Sequence, residues 1–302
     1  MSLSAPSSSP LLHPGLAGLF LTVALAGGCV DLVGAGDRYI QSDEKRFLTT
    51  GTPDVVLSTF DGAIEIRSWE RAEVEVIVER RASSKAALED IEVQTQQDGN
   101  QVTVRVISHR TGSFLNVSRS ARLIVSLPAS ANIMAKSGDG SIDLSRVSGR
   151  LNLRTGDGSI RGSDLGGDVK ASSGDGSIRL EGVNGSLDID TGDGNVAISG
   201  RLTAVRARTG DGSVSIHADE GSAATANWDV TTGDGGVTLE LPPKFDAELD
   251  AHTGDGRIRV EDLERSETTN RTSNKTMRTR LGAGGGSVRV RTGDGSITVR
   301  RF

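Results

Sequence analysis

At 302 residues, with 35% apolar and 25% charged side chains, the chain is long enough to bury a core, but six Phe, two Trp and one Tyr are too few for a conventional globular interior. A net charge of −6 and the scarcity of aromatic stacking platforms argue against a nucleic-acid surface. One cysteine leaves no disulfide to stabilise the fold.

Residues 1–28 carry no Asp, Glu, Lys or Arg, and the apolar run from Gly15 to Gly28 ends at the cysteine, Cys29. The run is too short to span a bilayer as a helix and reads as an export signal. Ala26-Gly27-Gly28-Cys29 resembles a bacterial lipobox, with Ala26 where Leu is usual; the resemblance implies that Cys29 is lipidated, becomes the mature N-terminus and ties the protein to a membrane. The bland alternative is a buried thiol. Residues 29–50, with Asp31, Asp37, Asp43, Glu44, Lys45 and Arg46, read as a polar linker that holds the folded body off the membrane.

Residues 51–132 predict longer, more charged strands than those downstream. Val55-Val56-Leu57 leads through the turn Phe60-Asp61-Gly62-Ala63 into Ile64-Glu65-Ile66, and Glu73 to Val78 alternates. Ser83 to Glu89 reads as one short helical turn. Asp98-Gly99-Asn100 is a hairpin tip between Ile91-Glu92-Val93 and the strand Val102 to Val106. A further alternating strand, Leu123 to Leu127, is closed by Pro128.

From residue 133 to residue 302 one phrase recurs eight times, Ser/Thr-Gly-Asp-Gly followed by one residue, small in most copies and Arg257 in the seventh, and then Ile or Val. Its aspartates are Asp139, Asp157, Asp175, Asp193, Asp211, Asp234, Asp255 and Asp294; the first five are spaced by 18 residues, and the later gaps are 23, 21 and 39. Positions six and four before each aspartate, and three after it, are apolar or alanine in every copy; five after it, Gly162 is the sole exception. Apolar residues two apart on both sides of a Gly-rich turn predict strands with one buried face. A weaker turn lies half a period away, at Ser148-Gly149, Gly166-Gly167 and Asn184-Gly185, so each unit holds two strands and two turns.

That unit is one coil of an all-β solenoid of about 18 residues per coil. In the competing arrangement, an antiparallel meander, every Gly-Asp-Gly is a hairpin tip and one sheet face has no partner; a coil buries that face on its own opposite wall. Residues 261–281 break the period and read as a loop on one edge. The last strand, Ser296 to Phe302, is expected to end the stack uncapped, with Arg300 and Arg301 opposing pairing with another copy.

The pattern resembles the bacterial DUF4097 family, described as candidate adhesins, and relatives with right-handed β-helical adhesin-like heads. The residues that carry the resemblance are Phe60-Asp61-Gly62-Ala63-Ile64-Glu65-Ile66, the Trp69 strand followed by Glu73-Val74-Glu75-Val76, the Ala86–Leu88 segment before Ile91, the Leu127-Pro128 strand end and the eight coils. It spans residues 51–302, and it implies a fold and an envelope location. It brings no catalytic residues with it.

Stacked turns would set the eight aspartates in a ladder at the inter-strand spacing of ~4.8 Å. Neighbouring charges then repel by roughly 0.9 kcal/mol even at the dielectric of water. Three offsets are open: hydrogen bonds from the turn's own amides in Asx turns, basic neighbours (Lys136, Arg154, Arg208, Arg291, Arg161, Arg179 and Arg259), or a cation such as Ca²⁺ shared between rungs. Calcium needs six to eight oxygens, and the residue three past each aspartate is apolar, so structural turns are the simpler reading. The Ser or Thr two before each aspartate falls on the inward side, where a stacked hydroxyl ladder would satisfy turn backbone.

No nucleophile elbow and no phosphate cradle occurs in the sequence. His109, His217 and His252 have no metal-ligand spacing. The reading is therefore a non-catalytic, exported, membrane-anchored envelope lipoprotein, an adhesin or scaffold whose partner is a glycan or a surface protein. The enzyme alternative is a β-helical polysaccharide lyase or hydrolase using paired carboxylates, against which stands the sameness of the rungs, since a catalytic pair needs two environments tuned apart.

Overall fold

The structure, a computed structural model, describes residues 32–34, 38–109, 118–261 and 269–302. The export segment and Cys29 lie outside them. In the N-terminal part the strands are β1 (Leu32–Gly34), β2 (Arg38–Leu48), β3 (Asp54–Thr59), β4 (Ile64–Trp69), β5 (Glu73–Ala82), β6 (Ile91–Asp98), β7 (Gln101–Ser108) and β8 (Arg119–Pro128), with α1 (Lys85–Glu89) between β5 and β6. The repeat region contributes β9 (Asn132–Lys136), β10 (Ile142–Ser145), β11 (Ser148–Arg154), β12 (Ile160–Ser163), β13 (Gly166–Ser173), β14 (Ile178–Thr191), β15 (Val196–Thr209), β16 (Val214–Ala218), β17 (Trp228–Thr232) and β18 (Val237–Leu241). The last stretch holds β19 (Ala247–Thr253), β20 (Ile258–Glu261), β21 (Thr269–Ser273), β22 (Thr276–Leu281), β23 (Gly286–Thr292) and β24 (Ile297–Arg301).

Coil-to-coil pairing is parallel and in register, which settles the solenoid over the meander: Leu151 pairs with Val169, Val169 with Leu187, and Ile142 with Ile160 and onward to Ile178. Two walls result. The strand before each Gly-Asp-Gly turn belongs to one wall and the strand after it to the other, and the predicted apolar columns face each other as the core. Where Gly162 interrupts a column, Leu165 and Leu180 close over it; a β-carbon there would come within 2.7 and 2.8 Å of their methyls. Trp228 is fully buried, edge-on to Phe245 at 5.1 Å. The half-period corner is a bend within continuous strand, where Gly149, Gly167 and Gly185 stack in register with φ of 148°, 92° and 149°. Only glycine adopts such values without strain.

The stacking order departs from the chain order at both ends. β3 lies between β7 and β9, and β4 between β8 and β10, so the first coil in sequence is enclosed by two later ones. At the other end β23 lies between β17 and β19, and β24 between β18 and β20. The last coil in sequence is thus inserted between the sixth and seventh Gly-Asp-Gly coils. This corrects the expectation of an uncapped terminal strand: β24 is paired on both sides.

Two further expectations are corrected. Within the stretch read as a linker, 29–50, β2 pairs antiparallel with β5 over its whole length after Arg38. Its charges belong to a covering strand, with Asp43 bonded to Arg80 at 2.6 Å, and charged residues are what protect a sheet edge. Within 261–281, read as a loop, β21 and β22 form an antiparallel hairpin that caps β19; residues 262–268 lie outside the described residues. The short helix and the Asp98-Gly99-Asn100 hairpin stand where predicted, with Ser84 Oγ accepting from the Ala87 amide at 3.1 Å as N-cap.

Candidate functional site

All eight turn aspartates sit on one edge of the solenoid and are exposed. In space their order is Asp139, Asp157, Asp175, Asp193, Asp211, Asp234, Asp294, Asp255, and Asp61 extends the row before Asp139. That ninth turn is marked in the sequence by Thr59 two before the aspartate and Ile64 three after it, as in the other eight, with Phe60 replacing the first glycine.

Beneath the carboxylates runs the predicted hydroxyl ladder. Ser137 Oγ donates to the Gly62 carbonyl at 2.8 Å, Thr155 Oγ1 to Gly140 at 2.8 Å, Thr191 to Gly176 at 2.9 Å, Thr209 to Gly194 at 2.9 Å and Thr232 to Gly212 at 2.7 Å. The same oxygens accept from their own turns: Gly212 N reaches Thr209 at 3.3 Å and Gly295 N reaches Thr292 at 3.1 Å. At Ser137, Ser173, Thr209, Thr232 and Thr292 the hydroxyl thus satisfies the backbone of two coils, which the chemistry of a donor-acceptor oxygen allows. Among the described residues no ladder carboxylate accepts from its own turn; where the Ser or Thr hydroxyl accepts, it takes the amide of the glycine that follows the aspartate.

Glycine is required on both sides of the aspartate. A β-carbon on Gly176 would overlap the Gly158 carbonyl, and one on Gly174 would come within 3.0 Å of Asp157 Oδ1. Successive coils are also joined by amide-to-carbonyl bonds between first glycines, such as Gly156 to Gly138 and Gly293 to Gly233.

The basic neighbours of the ladder pair with acids on the walls rather than with the ladder carboxylates. Arg161 pairs with Asp143 at 3.5 Å, Arg179 with Glu181 at 3.7 Å, Arg208 with Asp229 at 3.9 Å and Arg291 with Asp250 at 2.9 Å. The one ladder carboxylate in an ion pair, among the described residues, is Asp255, 3.2 Å from Lys275. At the half-buried end of the row, burial first and then the charge of Asp139 hold the Asp61 carboxyl above its usual range. Among the described residues no three His, Cys, Asp or Glu side chains converge as a metal site would require.

The outer faces of the two walls differ. On the first, the column five before each aspartate opens with the uncharged Met134 and Asn152 and from there reads, in stacking order, Lys170, Asp188, Arg206, Asp229, Arg289, Asp250 and then Arg278 of the capping hairpin. From Lys170 onward signs alternate at every rung. Burial pushes the Asp250 carboxyl upward, but Arg291, Arg278 and Arg289 together hold it below its ordinary value.

On the second wall the four rungs β4, β10, β12 and β14 carry Glu65, Asp143, Arg161 and Arg179 in register. Here like charges are neighbours. These residues, with Arg67, Ser145, Ser163 and Glu181 of the adjoining outward column, line a groove of about 540 Å³. Farther along this wall His217 bonds Glu240 at 2.7 Å and stacks on Phe302 at 4.6 Å. The other histidines have ordinary partners: His252 meets Thr276 at 3.0 Å and His109 meets Glu92 at 2.5 Å.

Equivalent parallel coils, a buried hydroxyl ladder and an exposed aspartate edge define a two-walled β-solenoid of Gly-Asp-Gly turns. The chain belongs to the DUF4097 family: the family model Toastrack DUF4097 matches residues 54–300. Solved structures similar to it include a candidate cell adhesion protein from Clostridium sporogenes (14% identity, 87% of this chain and 100% of that one, TM-score 0.29). Candidate adhesins from Bacteroides fragilis (12%, 86% and 97%, TM-score 0.43) and Parabacteroides distasonis (11%, 86% and 97%, TM-score 0.39) are also similar. No curated protein matches. Among the described residues no helix is long and apolar enough to cross a membrane.

Proposed function

We propose that the protein is a non-catalytic component of the bacterial cell envelope, exported and anchored through a lipidated Cys29, whose rigid solenoid presents a repeated charged surface for adhesion or scaffolding. The observation that carries this reading is the equivalence of the rungs. Each turn repeats the same exposed carboxylate over the same hydroxyl, so the edge offers a row of like contacts rather than one asymmetric pocket with an acid and a base set apart. Such a row suits multivalent contact with a repetitive partner, a glycan or a surface protein, where avidity accumulates from weak sites.

The test is binding of the full chain to a panel of envelope and host glycans, with calcium and with chelator. Retention of a repetitive glycan, weakened in small steps by successive Asp→Asn changes along the ladder, is the expected result. Turnover of a glycan, abolished by one or two of those changes, would replace the reading with an enzyme. For the anchor, a Cys29→Ser chain is expected to leave the membrane fraction.

A further inference from the structure

We infer that the second wall carries a self-complementary dimerisation face, centred between β10 and β12. Along its outward column the signs run minus, minus, plus, plus: Glu65, Asp143, Arg161, Arg179. In the adjoining outward column the same four rungs carry Arg67, Ser145, Ser163 and Glu181, reading plus, neutral, neutral, minus. Both columns change sign on reversal about the point between β10 and β12.

A two-fold axis lying in the contact plane, parallel to the strands and passing through that point, brings two copies face to face with their stacking directions opposed. It keeps each column opposite itself and reverses its order. Glu65 then meets Arg179 of the other copy, Asp143 meets Arg161, and Arg67 meets Glu181, each pair occurring twice as an isologous contact requires. Beyond the charges, the next rungs place Ile124 opposite Ala197. Ser145 faces Ser163 across the centre, which leaves room for the arginine side chains in the groove.

Segregated like charges are unfavourable within one copy. On the first wall of the same molecule the column from Lys170 to Asp250 alternates its signs, so segregation is not imposed by the fold. The carboxylates and guanidinia are available: side-chain exposure is 38% at Asp143, 60% at Arg161 and 66% at Arg179, and the internal pairs of these two arginines are long, at 3.5 and 3.7 Å. Glu65 already bonds Arg122, and the other copy's arginine would add to that pair. Eight rungs from β5 to β16 at ~4.8 Å, by four residues at ~3.3 Å, give about 500 Å² per copy, at the lower edge for a specific interface. The contact is therefore weak and sensitive to salt.

The test is sedimentation velocity of protein expressed from the full coding sequence, at up to ~100 µM. Reversible dimers at low salt, weakened about tenfold at ~0.5 M salt, are expected. Arg161→Glu with Arg179→Glu, and separately Glu65→Lys with Asp143→Lys, should each give monomers, and an equimolar mixture of the two should restore dimers. Should a charge variant fail to melt like the parent, thiol cross-linking replaces it: Ser145→Cys chains should cross-link to Ser163→Cys chains and not to themselves. A parent chain that stays monomeric at low salt overturns the inference, whether or not the groove retains another ligand. So do dimers indifferent to the charge reversals that also give no Ser145 to Ser163 cross-link.

Discussion

The Thr253 hydroxyl donates to the Gly295 carbonyl at 2.7 Å, so the seventh Gly-Asp-Gly turn of the sequence rests on the eighth. The coil of β23 and β24, which follows the others in sequence, is an internal rung, and Arg289 on it stands in register between Asp229 and Asp250. Arg289→Asp would set three acids side by side where signs now alternate. From two cross-strand like-charge contacts we expect a loss of about 1–2 kcal/mol, measured by urea unfolding, and a smaller loss at ~1 M salt. An unchanged midpoint would mean that the column contributes nothing to coil order.

The hydroxyl ladder and the aspartate ladder should behave differently. Thr209→Val keeps the side-chain shape but strips a partner from the Gly194 carbonyl and the Gly212 amide, for an expected cost of about 1–3 kcal/mol. Asp211→Asn, on the exposed edge of the same coil, should stay within ~0.5 kcal/mol. Paired denaturation curves decide it; the reverse ranking would make the carboxylates the structural element.

Glycine should be irreplaceable in the Gly-Asp-Gly turn and replaceable at the open hairpin tip Gly99. Gly176→Ala drives a β-carbon into the Gly158 carbonyl, and we expect a cost of at least ~3 kcal/mol or failure to fold. Gly99→Ala, at φ 56° with nothing within 4 Å, should cost only the ~1–2 kcal/mol of a left-handed residue. Similar melting of the two variants would show that the coils can spread.

Two carboxyls should respond oppositely to acid. Asp250, held below its ordinary 3.8, stabilises the fold fully above that value, and its contribution fades as pH falls through its lower native value. Asp61 is raised above 3.8: its ionised form opposes folding at neutral pH, and the penalty disappears as pH drops through the raised native value. Asp61→Asn should therefore raise the melting temperature at pH 7, with the gain shrinking as the medium is acidified. A gain that is constant with pH would assign the effect to packing instead.

The columns, the period and the inward hydroxyls were legible in the sequence because each coil repeats the same local physics, an apolar side chain every second residue around a turn only glycine permits. The order of the coils was not. A gap of 39 residues between Asp255 and Asp294 fits two coils in series as well as one coil folded back past a hairpin. The charge column held the distinguishing signal: in chain order Asp229 would neighbour Asp250, whereas inserting Arg289 restores alternation. β2 was misread for a related reason, since a strand that covers an edge carries the charges of a linker. The segregated signs of Glu65, Asp143, Arg161 and Arg179 were visible as residues, but only the register of β4 with β10 made them neighbours.

Enclosure of both terminal coils bears on how the molecule is made. A solenoid stacked in chain order can grow coil by coil behind a ribosome or a translocon, each new rung settling on the last. Here the β3–β4 coil waits for partners that emerge later on both of its sides, and the slot between β18 and β20 stays open until β24 arrives. A chain interrupted between residues 261 and 286 would carry an unfilled slot lined by unpaired strand edges, the kind of surface on which quality-control proteases and aggregation act. Arrival of β23 and β24 and closure of the stack become the same event.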